Sequence, residues 1–277
     1  MTFWLYLGIS VLASGCICLV GDGFASLAWI WMLPVSFLGV FLGLVILTAL
    51  TVLVMTALVD MKKPQTEDSA FYRAVTMAVI GLAVPLLRIR IREVGMEQAP
   101  KSGRFLLVCN HLHEIDPAVL MRAFPKTKLA FISKREVDDM FVVGKFLHKL
   151  MGQPINREND REALKTILNC IRILEEDKAS VAVFPEGYVS NDHLLHPLRH
   201  GVFKIAQRTK LPVVVCTIRG THEALKKAMK LKPSQVELHL VGVITTEELA
   251  GKTAVQIGEQ VYEMMARDLG PELVLQV

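Results

Sequence analysis

The sequence predicts an α/β protein with a largely parallel sheet and flanking helices, preceded by an N-terminal transmembrane helical hairpin. The first observation is charge: Asp22 is the only charged residue before Asp60, although the 277-residue chain has 31 basic and 27 acidic residues. The second is that short apolar runs after residue 100 alternate with segments of helical period. This composition excludes an ordinary soluble protein, and the 52% hydrophobic content excludes a disordered chain.

The hairpin is predicted from two nearly uninterrupted apolar runs. Residues 3–20 are long enough to cross about 30 Å of hydrocarbon as a helix. The Gly-Asp-Gly segment at 21–23 predicts a turn. The second run, 24–59, is too long for one straight span, so we expect it to start in the membrane interface and to cross over about 36–58. The lysines at 62–63 predict that this end is cytoplasmic.

Two crossings return the chain to the side from which it started. We therefore divide it into a membrane anchor, residues 1–62, and a domain of residues 63–277 on the cytoplasmic face of the cell membrane. A cleaved signal peptide would need a basic start, which is missing here. Neither span holds a charged residue that would mark an ion path, so a plain multi-pass anchor is favoured over transport.

The segment after the hairpin leaves alternatives open. Residues 71–85 have a helical pattern that fits either an interfacial helix or the core of the domain. Residues 87–92 alternate Leu-Arg-Ile-Arg-Ile-Arg, which predicts a strand with one basic face. These arginines either form a solvated face or meet anionic lipid headgroups. Nucleic-acid binding is not expected, because the basic residues are not interleaved with aromatic residues.

The rest of the chain alternates between strands and helices. The predicted strands cover residues 105–109, 129–132, 181–184, 213–218 and 236–243. The predicted helices cover residues 117–123, 143–151, 160–176, 201–209, 223–229 and 253–269. In sheets of this kind, ligands bind where strands end and helices begin. The residues directly after each strand are therefore the candidates for a site.

Asn110, His111 and Asp116 follow the first of these strands, in the segment Asn-His-Leu-His-Glu-Ile-Asp-Pro. On a continuous helix, His111 and Asp116 would lie about 140° apart. If a turn precedes a helix that starts near Asp116, its carboxylate can hold one imidazole nitrogen and leave the other as a general base. Alternatively, Asp116 only caps the helix that begins at Pro117.

Further motifs lie along the rest of the domain, some of them directly after predicted strands. They are Ser-Lys-Arg-Glu at 133–136, Gly-Gln-Pro-Ile-Asn-Arg at 152–157, Phe-Pro-Glu-Gly at 184–187, Gly-Val-Phe-Lys at 201–204 and Arg-Gly-Thr at 219–221. In this order, the segments between about residues 87 and 220 resemble the glycerophospholipid acyltransferases, specifically the 1-acyl-sn-glycerol-3-phosphate acyltransferase (lysophosphatidic acid acyltransferase) family.

This resemblance implies a reaction and its partners. His111 would deprotonate an acceptor hydroxyl that attacks the thioester of acyl-ACP or acyl-CoA, and Asp116 would orient the imidazole. A lysophospholipid acceptor would yield phosphatidate at the membrane, with membrane lipids as partners and with no cofactor, metal or nucleic acid. The residues that would bind the acceptor are Asn110, Lys134, Arg157, Glu186, Gly187 and Lys204.

One departure from the family concerns the acceptor. The family commonly has Thr-Arg-Ser after Phe-Pro-Glu-Gly, whereas this chain has Tyr188, Val189 and Ser190. A phosphate-binding arginine is therefore missing, and Arg199 or His200 is a candidate to replace it. This leaves open a different lysolipid or glycerol phosphate acceptor, or a non-catalytic lipid-binding protein on the same fold.

Two other sets of residues were weighed for chemistry. His193, His196 and His200 have a spacing that sometimes holds zinc, but Pro197 interrupts any helix that would align them, so a solvated loop is favoured. Ser190 and Cys109 are possible nucleophiles of a hydrolase. Ser190 lacks the Gly-x-Ser-x-Gly context, and Cys109 is expected to point into the sheet.

Overall fold

The computed structural model describes residues 1–21 and 23–275. The two apolar runs form helices α1 (Thr2–Val20) and α2 (Trp29–Ala57), which pack against each other. Both helices are long and apolar enough to cross a membrane, by length and composition. The predicted turn at 21–23 includes Asp22, which lies outside the described residues. The second helix begins at Trp29 and continues past residue 36 without a break.

Helix α3 (Ala70–Leu86) joins the hairpin to the domain. Its buried residues include Ile80 and Val84, which pack in the core, so the core alternative for this segment is correct. Its Gly81 lies against the start of α1, since a Cβ there would be 3.1 Å from Thr2 Oγ1. The strand predicted from residue 87 starts at Ile89, because Leu87 ends α3 and Arg88 has a left-handed φ of 54°.

Within the described residues, the sheet has seven strands in the order β1-β7-β6-β2-β5-β3-β4. They are β1 (Ile89–Val94), β2 (Leu106–Cys109), β3 (Leu129–Lys134), β4 (Gln153–Ile155), β5 (Ser180–Val183), β6 (Val213–Arg219) and β7 (Ser234–Ile244). Strands β2 to β6 are parallel to one another. Strand β7 pairs antiparallel with β6, and β1 pairs parallel with β7. The predicted largely parallel sheet is confirmed, and β4 is the one strand that the sequence did not predict.

Six further helices cover the two faces of the sheet. They are α4 (Asp116–Ala123), α5 (Val143–Lys149), α6 (Asp160–Glu175), α7 (Lys204–Thr209), α8 (Ala224–Met229) and α9 (Ala254–Leu269). The helix predicted from residue 201 begins instead as a 3-10 turn, His200–Phe203. Successive residues of β6 point to opposite faces, so Val213 packs in the core beneath α6, α7 and α9, whereas Val214 packs in the core beneath α3 and α4.

The strand directions determine where loops gather. The carboxyl ends of β2 to β6 share one edge of the sheet, which we call the carboxyl edge. Arg219 at the end of β6 is opposite Glu237 near the start of β7, and Ile89 is opposite Ser234. The amino ends of β1 and β7 therefore lie at the same edge. The loops after β2, β3, β5 and β6 meet there, with the start of β1 at one end.

Candidate active site

His111 and Asp116 form a hydrogen-bonded pair at the carboxyl edge. His111 Nδ1 lies 2.8 Å from Asp116 Oδ2, and the same oxygen accepts the backbone N–H groups of Leu112 and His113 at 2.7 and 2.8 Å. These three contacts require the turn that the sequence analysis anticipated. Because Oδ2 already accepts two backbone N–H groups, it also acts as the acceptor toward His111, so Nδ1–H donates to it and the neutral imidazole keeps its lone pair on Nε2.

The two side chains differ in their access to solvent. Asp116 is fully buried, whereas the His111 side chain keeps 16% of its surface exposed. Among the residues that the structure describes, Nε2 of His111 has no hydrogen-bond partner. Asp116 Oδ1 is buried and equally without a partner in the same part of the chain. The pair thus has the geometry of a general base: one nitrogen is held by the carboxylate, and the other has no partner among the described residues, in a ring that is partly exposed.

The segment after β5 supports His111 from a second direction. The ring of Phe184 stacks on the imidazole with centroids 4.0 Å apart and planes at 15°. Glu186 Oε1 accepts the backbone N–H of His111 at 2.8 Å, and the backbone N–H of Ser190 donates to His111 O at 2.9 Å. These contacts fix both the backbone and the ring plane of His111.

Glu186 is a buried carboxyl with two backbone donors. Its Oε2 accepts the N–H of His196 at 3.0 Å, so one side chain joins the His111 turn to the loop that precedes α7. Burial raises the pKa of Glu186 to about 7, against the opposing effect of the two backbone hydrogen bonds. Glu186 was predicted to bind the acceptor or to order the cationic residues. The structure directs both of its oxygens to the backbone.

Asn110 ties two strands together at the same edge. Its amide nitrogen donates to Ile218 O at 3.0 Å, and its amide oxygen accepts the Ile218 N–H at 2.7 Å. The side chain is buried, so Asn110 lies beneath the site that it was predicted to line. The contact holds the end of β2, and hence His111, against the end of β6.

A cavity of about 540 Å³ opens beside Phe184. Its floor is apolar, built from the ends of β3, β4 and β5 and from one face of α6; the apolar lining includes Ile132, Ile155, Ala163, Leu164, Ile167 and Val202. Its rim carries the cations Arg157, Arg199 and Lys204, together with Asp160. Within residues 1–21 and 23–275, no acidic side chain lies within 4.0 Å of these three cations. Unpaired cations above an apolar floor suit a ligand with an anionic head and an apolar tail.

Two of these cations approach each other at Gly187. A Cβ added to Gly187 would lie 2.7 Å from Arg199 Nε and 3.5 Å from Arg157 Cζ, and the φ of Gly187 is +88°. Only glycine therefore adopts this turn without strain and leaves room for the Arg199 side chain. Burial lowers the pKa of Arg157, and the charge of Arg199 lowers it further. An anion bound between the two guanidinium groups would favour their charged forms and so oppose this lowering of the pKa.

Some candidate residues lie outside this arrangement. Lys134 is exposed and forms an ion pair with Glu136 at 2.8 Å, so the structure does not bring it to the cavity. His196 bonds Asp192 at 2.9 Å, whereas the His193 ring stacks on His222. Among the described residues, no group of three or more His, Cys, Asp or Glu side chains is placed to hold a metal ion.

The two alternative nucleophiles are engaged elsewhere. The Ser190 hydroxyl contacts Asp192 Oδ1 at 2.6 Å and Leu194 O at 2.9 Å, and its residue is buried. Cys109 is fully buried, and burial raises the pKa of its thiol well above the ordinary value. Neither group has the exposure or activation that a nucleophile requires.

The sequence analysis missed two features of the site. The stacking of Phe184 on His111 was not anticipated, although an aromatic residue at the end of the neighbouring strand was a usable signal. The apolar face of α6 was also missed as a wall of the cavity. Its residues recur with helical period, but so do the residues of any amphipathic helix that packs on a sheet.

Comparisons with known proteins find acyltransferases. A family model described as Acyltransferase matches residues 90–219, the stretch from β1 to the end of β6. Among curated relatives are 1-acyl-sn-glycerol-3-phosphate acyltransferases from Cocos nucifera, 28% identical over 148 residues, and from Limnanthes alba, 26% identical over 190 residues. They cover 53% and 68% of this chain, and the chain spans 48% and 66% of their lengths.

A solved structure shares the fold. The crystal structure of the 1-acyl-sn-glycerophosphate (LPA) acyltransferase PlsC from Thermotoga maritima matches with a TM-score of 0.60 and 21% identity, covering 79% of this chain and 86% of that one. The matched family segment contains the His111–Asp116 pair, Glu186 and the cation at Arg157. Over residues 90–219 the chain is therefore similar to the acyltransferases, and its curated relatives include 1-acyl-sn-glycerol-3-phosphate acyltransferases.

Proposed function

We propose that this protein is a membrane-bound O-acyltransferase that transfers a fatty acyl group from acyl-ACP or acyl-CoA to 1-acyl-glycerol-3-phosphate, forming phosphatidate. The observation that carries the proposal is the His111–Asp116 pair, whose imidazole stacks on Phe184, a residue that also lines the cavity with an apolar floor and a cationic rim. The curated relatives are named for this activity.

The chemistry follows from the two nitrogens of one imidazole. Nε2 of His111 takes the proton of the acceptor hydroxyl as its oxygen attacks the thioester carbonyl carbon. Asp116 stabilises the imidazolium through Nδ1. The tetrahedral adduct then collapses, the C–S bond breaks, and the imidazolium returns the proton to the departing thiolate. Base catalysis of this kind contributes about 10²- to 10⁴-fold, and holding both substrates in place contributes further.

The acceptor phosphate is assigned to the guanidinium groups at Gly187. Arg157 supplies one cation, and Arg199 stands in for the arginine that is missing after the Phe-Pro-Glu-Gly motif. Lys204 adds a third positive charge at the rim of the cavity. Guanidinium groups suit this role because their planar forks bind two phosphate oxygens at once. An acyl chain would lie over the apolar floor.

The hairpin would anchor the domain where its lipid substrates are. Helices α1 and α2 supply two crossings, and Lys62 and Lys63 directly after α2 favour a cytoplasmic domain. On this basis residues 1–62 form the anchor and residues 63–277 the acyltransferase domain. The remainder of the assignment, phospholipid biosynthesis at the cell membrane, follows from the proposed product.

The proposal is tested with purified full-length protein in detergent. Labelled acyl-ACP and acyl-CoA are offered with lysophosphatidate, other lysolipids and glycerol 3-phosphate, and the lipid products are identified. The expected result is phosphatidate from lysophosphatidate, with turnover lowered at least about 100-fold by His111→Ala. The matched control is His113→Ala, because the His113 ring accepts only a local N–H, from Ile115 at 3.3 Å.

Each alternative predicts a different outcome. Acylation of another lysolipid or of glycerol 3-phosphate, and not of lysophosphatidate, would overturn the acceptor and keep the reaction class. A folded His111→Ala variant with full turnover would remove the general base from the mechanism. A protein that binds lysolipids without forming any product would be the non-catalytic lipid-binding protein.

A further inference from the structure

Helix α8 and the residues after it carry a surface that the proposed reaction does not use. We define the α8 surface as the apolar side chains Leu225, Met229 and Leu231 with the basic side chains Lys226, Lys230 and Lys232. Met229 and Leu231 are 80% and 72% exposed, more than any other large hydrophobic residue that the structure describes beyond residue 60. Isolated exposed hydrophobic residues are common, but two such residues within a run of lysines form an amphipathic tip.

The charges of this surface are not neutralised within the protein. In the described parts of the chain, Lys226, Lys230 and Lys232 have no acidic partner within 4.0 Å. The neighbouring Lys227 pairs with Glu223, one acid among four lysines. The exposed Arg88 and Arg90 of the adjacent β1 edge add to the positive field. The surface therefore complements an extended array of negative charge.

The α8 surface is continuous with the membrane hairpin. Helix α1 starts against Gly81 of α3, and α3 ends at Leu86, which is itself exposed. Two residues later, Arg88 Nη1 donates to Leu231 O at 2.5 Å. Leu231 of the α8 surface is thus hydrogen-bonded to a residue just after the end of α3, the helix against which α1 packs.

The surface also lies at the carboxyl edge. Strand β6 ends at Arg219, and its Ile218 is bonded to Asn110 next to the catalytic candidate His111. Helix α8 begins five residues after Arg219. A lipid substrate that enters the site from a bilayer would therefore enter beside this surface.

We infer that the α8 surface docks on the anionic surface of the bilayer that holds the hairpin. Met229 and Leu231 enter the interface, and the lysines contact phosphate-bearing headgroups while their methylene stems cover the apolar side chains. Together with the hairpin, which packs against α3, this second contact holds the carboxyl edge toward the membrane. The inference does not depend on which lysolipid is acylated.

The test uses the full-length protein in vesicles of phosphatidylcholine, with or without phosphatidylglycerol. Met229→Cys is labelled with an environment-sensitive fluorophore in a Cys16→Ser background, because Cys16 is the exposed member of the five native cysteines. A label at Leu168→Cys on α6, half exposed and on a helix next to the opposite edge strand β4, serves as the control. The expected result is a blue shift and quenching by nitroxide lipid at position 229 in anionic vesicles only, and no change at position 168.

Charge reversal tests the role of the lysines. The double change Lys226→Glu with Lys230→Glu should lower the docked fraction at least about tenfold, and salt should do the same to the unmodified surface. The matched pair Arg161→Glu with Lys165→Glu, exposed on α6, should leave docking unchanged.

Three results would overturn the inference. One is a label at position 229 that is equally shifted in neutral vesicles. A second is a label that ignores anionic lipid and responds instead to added acyl carrier protein, which would make the surface an acidic-protein site. The third is no response to either. None of these readouts requires turnover, so they remain informative if the proposed reaction is wrong.

Discussion

Replacing Arg199 tests whether a cation from another loop has taken the place of the missing motif arginine. Arg199 lies at the rim of the cavity with its side chain against Gly187, beside Arg157. Its backbone N–H donates to Pro185 O at 2.8 Å, a contact that does not involve the side chain. The substitution Arg199→Leu therefore removes one positive charge and leaves the loop in place.

The expected change in the KM for lysophosphatidate follows from the exposure of the Arg199 side chain. A charge-assisted hydrogen bond contributes about 1.5 to 3 kcal/mol, and Arg199 is exposed at the mouth of the cavity, so the lower end applies. Since about 1.4 kcal/mol is a factor of ten, we expect the KM for lysophosphatidate to rise roughly tenfold. The kcat should change little, because no contact of the His111–Asp116 pair involves Arg199.

The same substitution should not destabilise the protein. The charge of Arg199 lowers the pKa of the partly buried Arg157, which means that the two cations repel each other in the absence of an anion. Removing Arg199 relieves this repulsion, and we expect the thermal midpoint to stay level or to rise slightly. A residue that binds the acceptor and has no acidic partner in the free protein should show this combination: its loss weakens acceptor binding and does not lower the stability of the protein.

The assay is steady-state acylation in detergent with lysophosphatidate varied, alongside thermal unfolding of the same preparations. Arg161→Leu is the control, because Arg161 is exposed on α6 and its side chain contacts no acidic group in the described structure. Monoacylglycerol lacks the phosphate. If the protein acylates it, the KM for monoacylglycerol should be the same with and without Arg199→Leu. An unchanged KM for lysophosphatidate would show that Arg199 does not bind the phosphate.

Three other substitutions test the supports of the site. Glu186→Gln should make the stability of the protein depend less on pH. Because the pKa of Glu186 is raised to about 7 in the folded protein, the native protein loses stability as pH rises from about 4.5 through 7. If the thermal midpoints of the native protein and the variant change in parallel over this range, this reasoning is wrong. Gly187→Ala should cost about 1 to 2 kcal/mol from its φ of +88° and should raise the acceptor KM by displacing Arg199, with no added effect in the Arg199→Leu background. Asn110→Ala leaves the buried Ile218 N–H and C=O without their partner, so urea unfolding should show a loss of about 2 to 4 kcal/mol, and a loss below 1 kcal/mol would refute the tie between β2 and β6.

The sequence predicted the parts of the fold that depend on local pattern. The apolar runs of the hairpin and the amphipathic period of α6 are each visible in a short window. Strand β4 was missed because its three residues include Pro154 and carry no alternation. The reversed direction of β1 and β7 was also beyond reach, because it depends on which strands pair across the sheet.

The arrangement of the site was likewise predictable from the sequence only where it depends on residues close together in the chain. The His111–Asp116 hydrogen bond was predictable, because only five positions separate the two residues and one turn brings them together. The separation of Lys134 from the cavity was not, because its ion pair with Glu136 depends on side-chain direction at the end of β3. The approach of Arg199 to Arg157 joins residues from loops that are distant in the chain, so it required the structure.

The two hydrogen bonds of Glu186 explain why this position is a carboxylate although burial disfavours its charge. Its two oxygens face two N–H donors, at His111 and His196, and an amide would turn its own NH₂ toward one of them. Two acceptor oxygens are therefore needed at this position. The pKa of about 7 reflects the unfavourable free energy of placing a charged carboxylate in a buried site. Because one donor belongs to His111, the proposed base, and the other to the loop that carries Arg199, a disturbance at Glu186 must move both. Glu186→Gln should consequently lower kcat and raise the acceptor KM together, whereas Arg199→Leu changes the KM alone.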